Sequence, residues 1–330
     1  MAIGQGYKSY IQFGLETTWG TGVAATERLE VISMDVAPDM GLILDPSLNN
    51  SVGRRGLFQG GIIYRGNIVV RANYDGRAVL RLLKAMFGVA GTTTLVETAI
   101  SWDNVFHDAM SQLTIQSLTI EMIEGDIDTG KCQRLLGAIP ISWTTRVTAG
   151  QGQDAMVQWE FEFLAKDKET NQTPTASLTA PAVLPVLFHH GQTMDDGVTT
   201  SGLKIRTFEL RYEAPHNADR FYLGSKNPDE PVRDDFLKAS YRFTQAFQTR
   251  TTLDALKAFT NASPQIMFRG GALGANFYEF EVKSDKAQVA RVSHPVAGYG
   301  IIMMDHTVEA YHDGTNGTLY TRLRNGQSAI

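Results

Sequence analysis

The sequence predicts a mainly β protein: two tandem antiparallel β-sandwich modules, each with a short flanking α-helix. Three observations lead there. Apolar and polar residues alternate with a period of two in the segments 117–124, 156–163, 203–212, 240–247, 277–282 and 307–311. Two segments, opening at Asp75 and Thr252, carry helical spacing instead. Those two starts lie 177 positions apart, each directly after a predicted strand, and an Ala-Pro pair recurs at the same offset (Ala37-Pro38, Ala214-Pro215).

Composition narrows the field. A chain of 330 residues with 43% hydrophobic and 20% charged residues has ample core for one large or two ordinary domains. Its net charge of −5 predicts no general attraction to nucleic acid or anionic lipid. Cys132 is the single cysteine, so no intrachain disulfide can form. Near the N-terminus there is Lys8 but no apolar run of export-signal length, and no window approaches a membrane helix. A folded chain in the cytoplasm is expected.

In chain order, the first element is Phe13 to Gly22, where Trp19 sits among three glycines and three threonines. Glycine lets backbone approach backbone, and threonine and tryptophan suit an extended, half-buried chain. The segment reads as built to lie against something. After Ala37-Pro38 comes a long connection to Ile62. Such loops beyond about 12–15 residues are functional or disordered. This one carries Leu42, Ile43, Leu44, Leu48, Leu57 and Phe58 with the pair Arg54-Arg55, too apolar for a solvated coil. It predicts either an arm that docks on another subunit or an Ω-loop packed on its own domain. The counterpart connection, Asn217 to Phe236, is charged and proline-rich and reads as less adhesive.

A strand over 62–72 leads to the first helix, 75–87, with Val79, Leu82, Leu83 and Met86 on one face, Asp75 as its cap and Gly88 at its end. The second helix, 252–261, carries a stripe of Leu253, Leu256 and Phe259. Proline, glycine and charge mark a boundary between Lys166 and Gly202, so the modules are expected at 1–170 and 203–330, with 171–202 a linker or exchanged arm. Val183 to Phe188 is too apolar for a free tether and predicts an added strand.

Chemistry is sparse. Seven histidines show no tight pairing with cysteine, so no metal site is expected. Glu160 and Glu162 share the polar face of one strand, which a glycosidase could use only in a cleft of suitable width. Asp195-Asp196-Gly197 lacks calcium-loop spacing. The glycines at 270, 271 and 274 precede a strand, whereas a phosphate loop precedes a helix. No catalytic residue and no cofactor are predicted.

The opening 13–22 resembles that of tail tube proteins of long-tailed bacteriophages. Leu118-Thr119-Ile120-Glu121, followed by Gly130-Lys131-Cys132 and a long strand through Trp143, is similar to their central motif. The resemblance implies a structural virion protein rather than an enzyme. Its subunits would form stacked, usually hexameric rings around a tape measure protein, with DNA crossing the lumen during ejection without being read. It implies tail terminator and distal tail or baseplate partners, no membrane partner, and a place in the virion tail after assembly in the host cytoplasm. On that reading Phe13, Trp19, Leu44, Leu48, Arg54, Arg55, Leu57 and Phe58 join subunits or rings, and Glu121, Glu160, Glu162 and Glu209 are acidic lumen candidates. The alternatives are another tail component (terminator, distal tail or decoration protein) or a carbohydrate-binding β-sandwich or glycosidase using some of the four tryptophans.

Overall fold

Alternation becomes strand wherever one face can be buried. The computed structural model describes residues 9–45, 56–74, 76–88, 91–97, 100–108, 116–124, 132–195, 204–247, 250–259, 261–293, 295 and 301–327. The first half contains β1 (Tyr10–Leu15), β2 (Glu27–Leu29), β3 (Val31–Leu44), β4 (Leu57–Arg71), α1 (Arg77–Phe87), β5 (Gly91–Glu97), β6 (Ser101–His107), β7 (Leu118–Ile123), β8 (Cys132–Thr148), β9 (Gln158–Ala165) and β10 (Asp167–Gln172). Then come β11 (Gly191–Asp195), β12 (Ile205–Glu213), β13 (His216–Asn217), β14 (Val232–Arg233), β15 (Lys238–Ala246) and α2 (Thr251–Ala258). The chain closes with β16 (Asn261–Ala262), β17 (Gln265–Leu273), β18 (Asn276–Lys283), β19 (Ala287–Ser293), β20 (Met303–Ala310) and β21 (Tyr320–Asn325).

The protein is mainly β, and its strands pair antiparallel in two large sheets, of thirteen and six strands. Both sheets draw on both halves of the chain. In the larger, β8 runs beside β12 from Ser142↔Glu213 to Thr148↔Thr207. In the smaller, β6 from the first half lies beside β21 from the second. The two sequence modules therefore share their sheets.

Within the large sheet one arrangement occurs twice. Strands β3-β4-β9-β8 form a block, and β12-β15-β20-β19 form another in the same order, with α1 following β4 and α2 following β15. The bulges agree too. An extra residue sits in β3 between Val31 and Ser33 and in β12 between Ile205 and Thr207. Another sits in β8 between Pro140 and Ser142 and in β19 between Val289 and Arg291. This register sets Ala37 level with Arg211, so the Ala-Pro spacing is not the equivalence: Ala214-Pro215 lies past the end of β12, while Ala37-Pro38 lies inside β3.

The core lies where the layers meet. Trp143 of β8 contacts Trp159 and Phe161 of β9, Phe87 at the end of α1, and Phe280 of β18 in the smaller sheet, with ring centroids 6.0–6.4 Å apart. Helix α1 is more deeply enclosed than a single stripe requires, since Leu80, Ala85 and Phe87 are buried with the four predicted positions. Its N-cap is Gly76, without a side-chain cap, while Gly88 ends it at φ 79° as expected; Asp75 lies outside the described residues. In α2 the predicted stripe fails at Phe259, which is 76% exposed in a left-handed conformation just beyond the helix.

The proline-rich boundary is laid across the body. Thr175 Oγ1 accepts from Ala25 N, and Asn73 Nδ2 donates to Ala182 O. Val186 is buried, with backbone bonds to Ala72 and Val157. The added strand expected at 183–188 is two isolated bridges, Asn73↔Pro185 and Met156↔Leu187, and the full strand comes just afterwards, where β11 joins the smaller sheet.

Two stability predictions follow from the packing. Trp143→Ala should cost about 3–5 kcal/mol in a denaturant titration; a loss under about 1 kcal/mol would show that the layers are held elsewhere. Asp108 is buried and accepts from the N–H groups of Thr318 and Leu319 through Oδ1. Burial raises its carboxyl above the usual aspartate range, against those backbone bonds. Its stabilising contribution is therefore complete below the ordinary aspartate pKa and declines as pH rises through the raised value. Asp108→Asn, which keeps an acceptor and removes the charge, should gain stability over wild type at pH 7 but not at pH 3, measured by urea midpoints.

Candidate functional site

The glycine- and threonine-rich opening is stitched into its own subunit. Strand β1 lies between β2 and β7, and Phe13 is fully buried in the core. Glu16, which the sequence reading passed over, organises the turn that follows. Its Oε1 accepts from Thr119 Oγ1 and Gly137 N, and its Oε2 from Gly20 N and Ser117 Oγ, at 2.8–2.9 Å. A buried carboxylate with four donors is well solvated by protein. Trp19 donates from Nε1 to Gly137 O, and Lys166 Nζ sits 4.6 Å from the centre of its ring. Gly14 is required by space: a Cβ there would meet Ala24 O at 2.4 Å. A subunit contact through Phe13 is thus corrected, because the side chain has no surface left to offer. The available signal was that Glu16 is the single charged residue between Lys8 and Glu27.

The connection expected as a loose arm is a β-ribbon. Strands β3 and β4 stay paired through Leu42↔Gln59, Ile43↔Phe58 and Leu44↔Leu57. Strand β9 accompanies β4 only from Tyr64 to Arg71, so the outer part of the hairpin extends past the sheet. Out there Leu42 is 65% exposed, Ile43 56%, Leu57 63% and Phe58 58%, with Met40 and Leu44 also exposed. Successive side chains point to opposite faces, so both faces of the ribbon carry apolar groups. The reading as an Ω-loop packed on its own domain does not hold for these residues. Leu48, Arg54 and Arg55 lie outside the described residues.

The second half has its own exposed apolar group beside the ribbon's base. Ile62 donates its N–H to Lys226 O, and Ile63 packs with Leu164 and Ala218. In this β12–β15 connection Tyr222, Leu223 and Phe236 are exposed. Next to Phe236, Lys238 donates to Asp235 and holds that carboxyl below the usual range. The connection expected to be the less adhesive one thus also exposes apolar side chains among its charges.

The four acidic candidates separate. Glu121 is fully buried, accepting from Gln12 Nε2 at 2.6 Å and paired with Arg134 at 3.1 Å, so it has no face to present to a lumen. Glu160, Glu162 and Glu209 do share the polar face of the large sheet, but not as an acidic strip. Glu160 pairs with Arg146 and accepts from Asn67; Glu162 lies 3.8 Å from Arg211; Glu209 sits in register between Arg146 and Arg242. The face is charge-balanced. Trp143 and Trp159 are buried and cannot stack on a sugar, and half-exposed Trp19 is held by Gly137 and Lys166. Among the described residues no three His, Cys, Asp or Glu side chains converge as a metal site, and no helix is long and apolar enough to cross a membrane.

A large polar sheet face, an apolar ribbon bare on both sides and a stitched N-terminal turn define a structural protein made to meet neighbours. The model of the phage tail tube protein family matches residues 6–318, nearly the whole chain, and the chain belongs to that family. It is therefore a structural component of a virion tail, of a kind that self-assembles into a tube. No curated protein matches the chain.

Glu16→Ala would leave two buried hydroxyls, the buried N–H of Gly137 and the half-buried N–H of Gly20 without their acceptor. A loss of about 2–4 kcal/mol is expected from the desolvation cost of orphaned groups, read from chemical unfolding; an unchanged midpoint would show that water replaces the carboxylate.

Proposed function

We propose that this chain is the repeating subunit of the tail tube, forming stacked rings, hexameric as the family resemblance implies, around a tape measure protein and later conducting DNA. The observation that carries the reading is the β3–β4 ribbon. A two-stranded ribbon reaching past its sheet with apolar side chains on both faces gains by entering another subunit's surface, where water is excluded from both sides at once. Exposed Tyr222 and Leu223, in the turn whose Lys226 carbonyl accepts from Ile62 at its base, extend the same contact region. In this reading the ribbon bridges one ring to the next. The N-terminal segment, apart from half-exposed Trp19, serves the subunit's own fold.

The polar face bearing Glu160, Glu162 and Glu209 is the proposed lumen wall. Charge pairs on it cancel within a few ångströms, and the whole chain is net negative, so the wall offers phosphates little net attraction. Tail terminator and distal tail or baseplate proteins would meet the two ends of the stack, and assembly would take place in the host cytoplasm.

The test is imaging of the purified protein by negative stain alongside the triple variant Ile43→Ser/Leu57→Ser/Phe58→Ser. Wild type should form tubes, and the variant should keep its fold by circular dichroism yet yield single rings or free subunits. Tubes of unchanged length from the variant would remove the ribbon from ring stacking. Rings of wild type that never elongate would favour a terminator or distal tail protein instead.

A further inference from the structure

The large sheet contains one seam between its two repeated blocks, where β8 pairs with β12, and the outer borders of those two blocks, β3 and the outer half of β19, are open. Among the described residues β3 pairs only with β4, while β19 pairs with β20 and, through Ala287 and Gln288 alone, with β16. The register established by the bulges makes β3 the counterpart of β12 and β19 the counterpart of β8. The two open borders are thus the same two borders that the internal seam has already joined.

Burial agrees. Beside β8, the core-facing side chains Phe208, Leu210 and Tyr212 of β12 are fully buried; at the equivalent places in β3, Met34 and Val36 are half-buried and Pro38 is exposed. In β8, Ser142 and Trp143 are buried beside β12; their counterparts in β19, Arg291 and Val292, are exposed and half-buried. Each border lacks the neighbour its twin possesses.

We propose that β19 of one copy pairs antiparallel with β3 of the next, repeating the internal β8–β12 seam between molecules. This deepens the tube reading and rests on it. The internal register, Ser142↔Glu213, Trp143↔Tyr212 and Thr144↔Arg211, transfers to Arg291 opposite Asp39, Val292 opposite Pro38 and Ser293 opposite Ala37 of the next copy. That places opposite charges across the new seam, with Arg291 joining the exposed Asp39–Arg65 pair, 3.1 Å apart within one subunit. Val292 meets Pro38 as an apolar pair. Pro38 lacks an N–H, a feature of edge strands that limits indiscriminate pairing. The contact is head-to-tail, so it propagates from copy to copy as a ring requires.

Cysteine cross-linking tests the register, because the native Cys132 is buried. Residues directly opposite on antiparallel strands have Cα atoms about 4.5–5.5 Å apart, within disulfide reach. Arg291→Cys/Asp39→Cys should give a ladder of covalent oligomers after mild oxidation of the assembled protein. Arg291→Cys/Asp35→Cys, four residues out of register and about 13 Å away, should give none. Rings or tubes visible in stain without a ladder from the first pair would overturn this seam and leave the tube reading standing. Equal ladders from both pairs would overturn the register. Protein that stays single at high concentration would overturn both proposals. Independently of cysteine chemistry, Arg291→Glu should abolish rings and the exchange Arg291→Glu/Asp39→Arg should restore them; failure of the exchange to restore rings counts against the seam.

Discussion

Strand β8 is the constraint on which the rest of the subunit depends. Its first half lies between β7 and β10 and its second between β9 and β12, so the first and second blocks are joined through it, and the opening strand reaches it by way of β7. Its side chains do the same for the layers, since Trp143 gathers α1 and the smaller sheet against the larger. A strand bonded on both borders along most of its length has little freedom to slip, and a one-residue shift would turn Trp143 toward water. The four donors on Glu16 then fix the N-terminal turn against Gly137 of the same strand.

Much of the fold was legible because burial writes itself into alternation. The strands around 118–123, 158–165, 205–213, 238–246, 276–283 and 303–310 fall where apolar and polar residues take turns, and α1 falls where they recur every three or four. Where alternation was silent, the reasons are physical. The outer part of the β3–β4 ribbon has no buried face, so nothing selects an apolar phase there, and Pro38, Gly41, Gly60 and Gly61 read as loop signals. Phe259 matched the helical stripe by spacing, yet the helix ends before it. Long-range pairing such as β8 with β12 leaves no mark in either strand alone.

The candidate surfaces were legible in kind more than in place. Grease without a core to enter marked Leu44, Leu57 and Phe58, and these are exposed as that reasoning requires. The same reasoning failed for Phe13 and Glu121, where an aromatic and a carboxylate that looked available are consumed inside the subunit. It also overlooked Tyr222, Leu223 and Phe236, because neighbouring prolines and charges dominate the composition of that loop. The acidic strip proposed from Glu160, Glu162 and Glu209 dissolves once the arginines of adjacent strands are placed beside it, a cancellation that depends on register and cannot be seen in any one segment.

The paired bulges carry one more consequence. An additional residue on one strand of a ladder bends it and deepens its twist, and here the bend is placed alike in both blocks, on the border strands rather than the inner ones. Curvature is therefore encoded at the β8–β12 joint between the blocks and at their outer borders, β3 and β19. A wall laid from such pieces turns by a fixed increment at each step, so its radius would be a property of the polypeptide instead of an imprint from whatever it encloses.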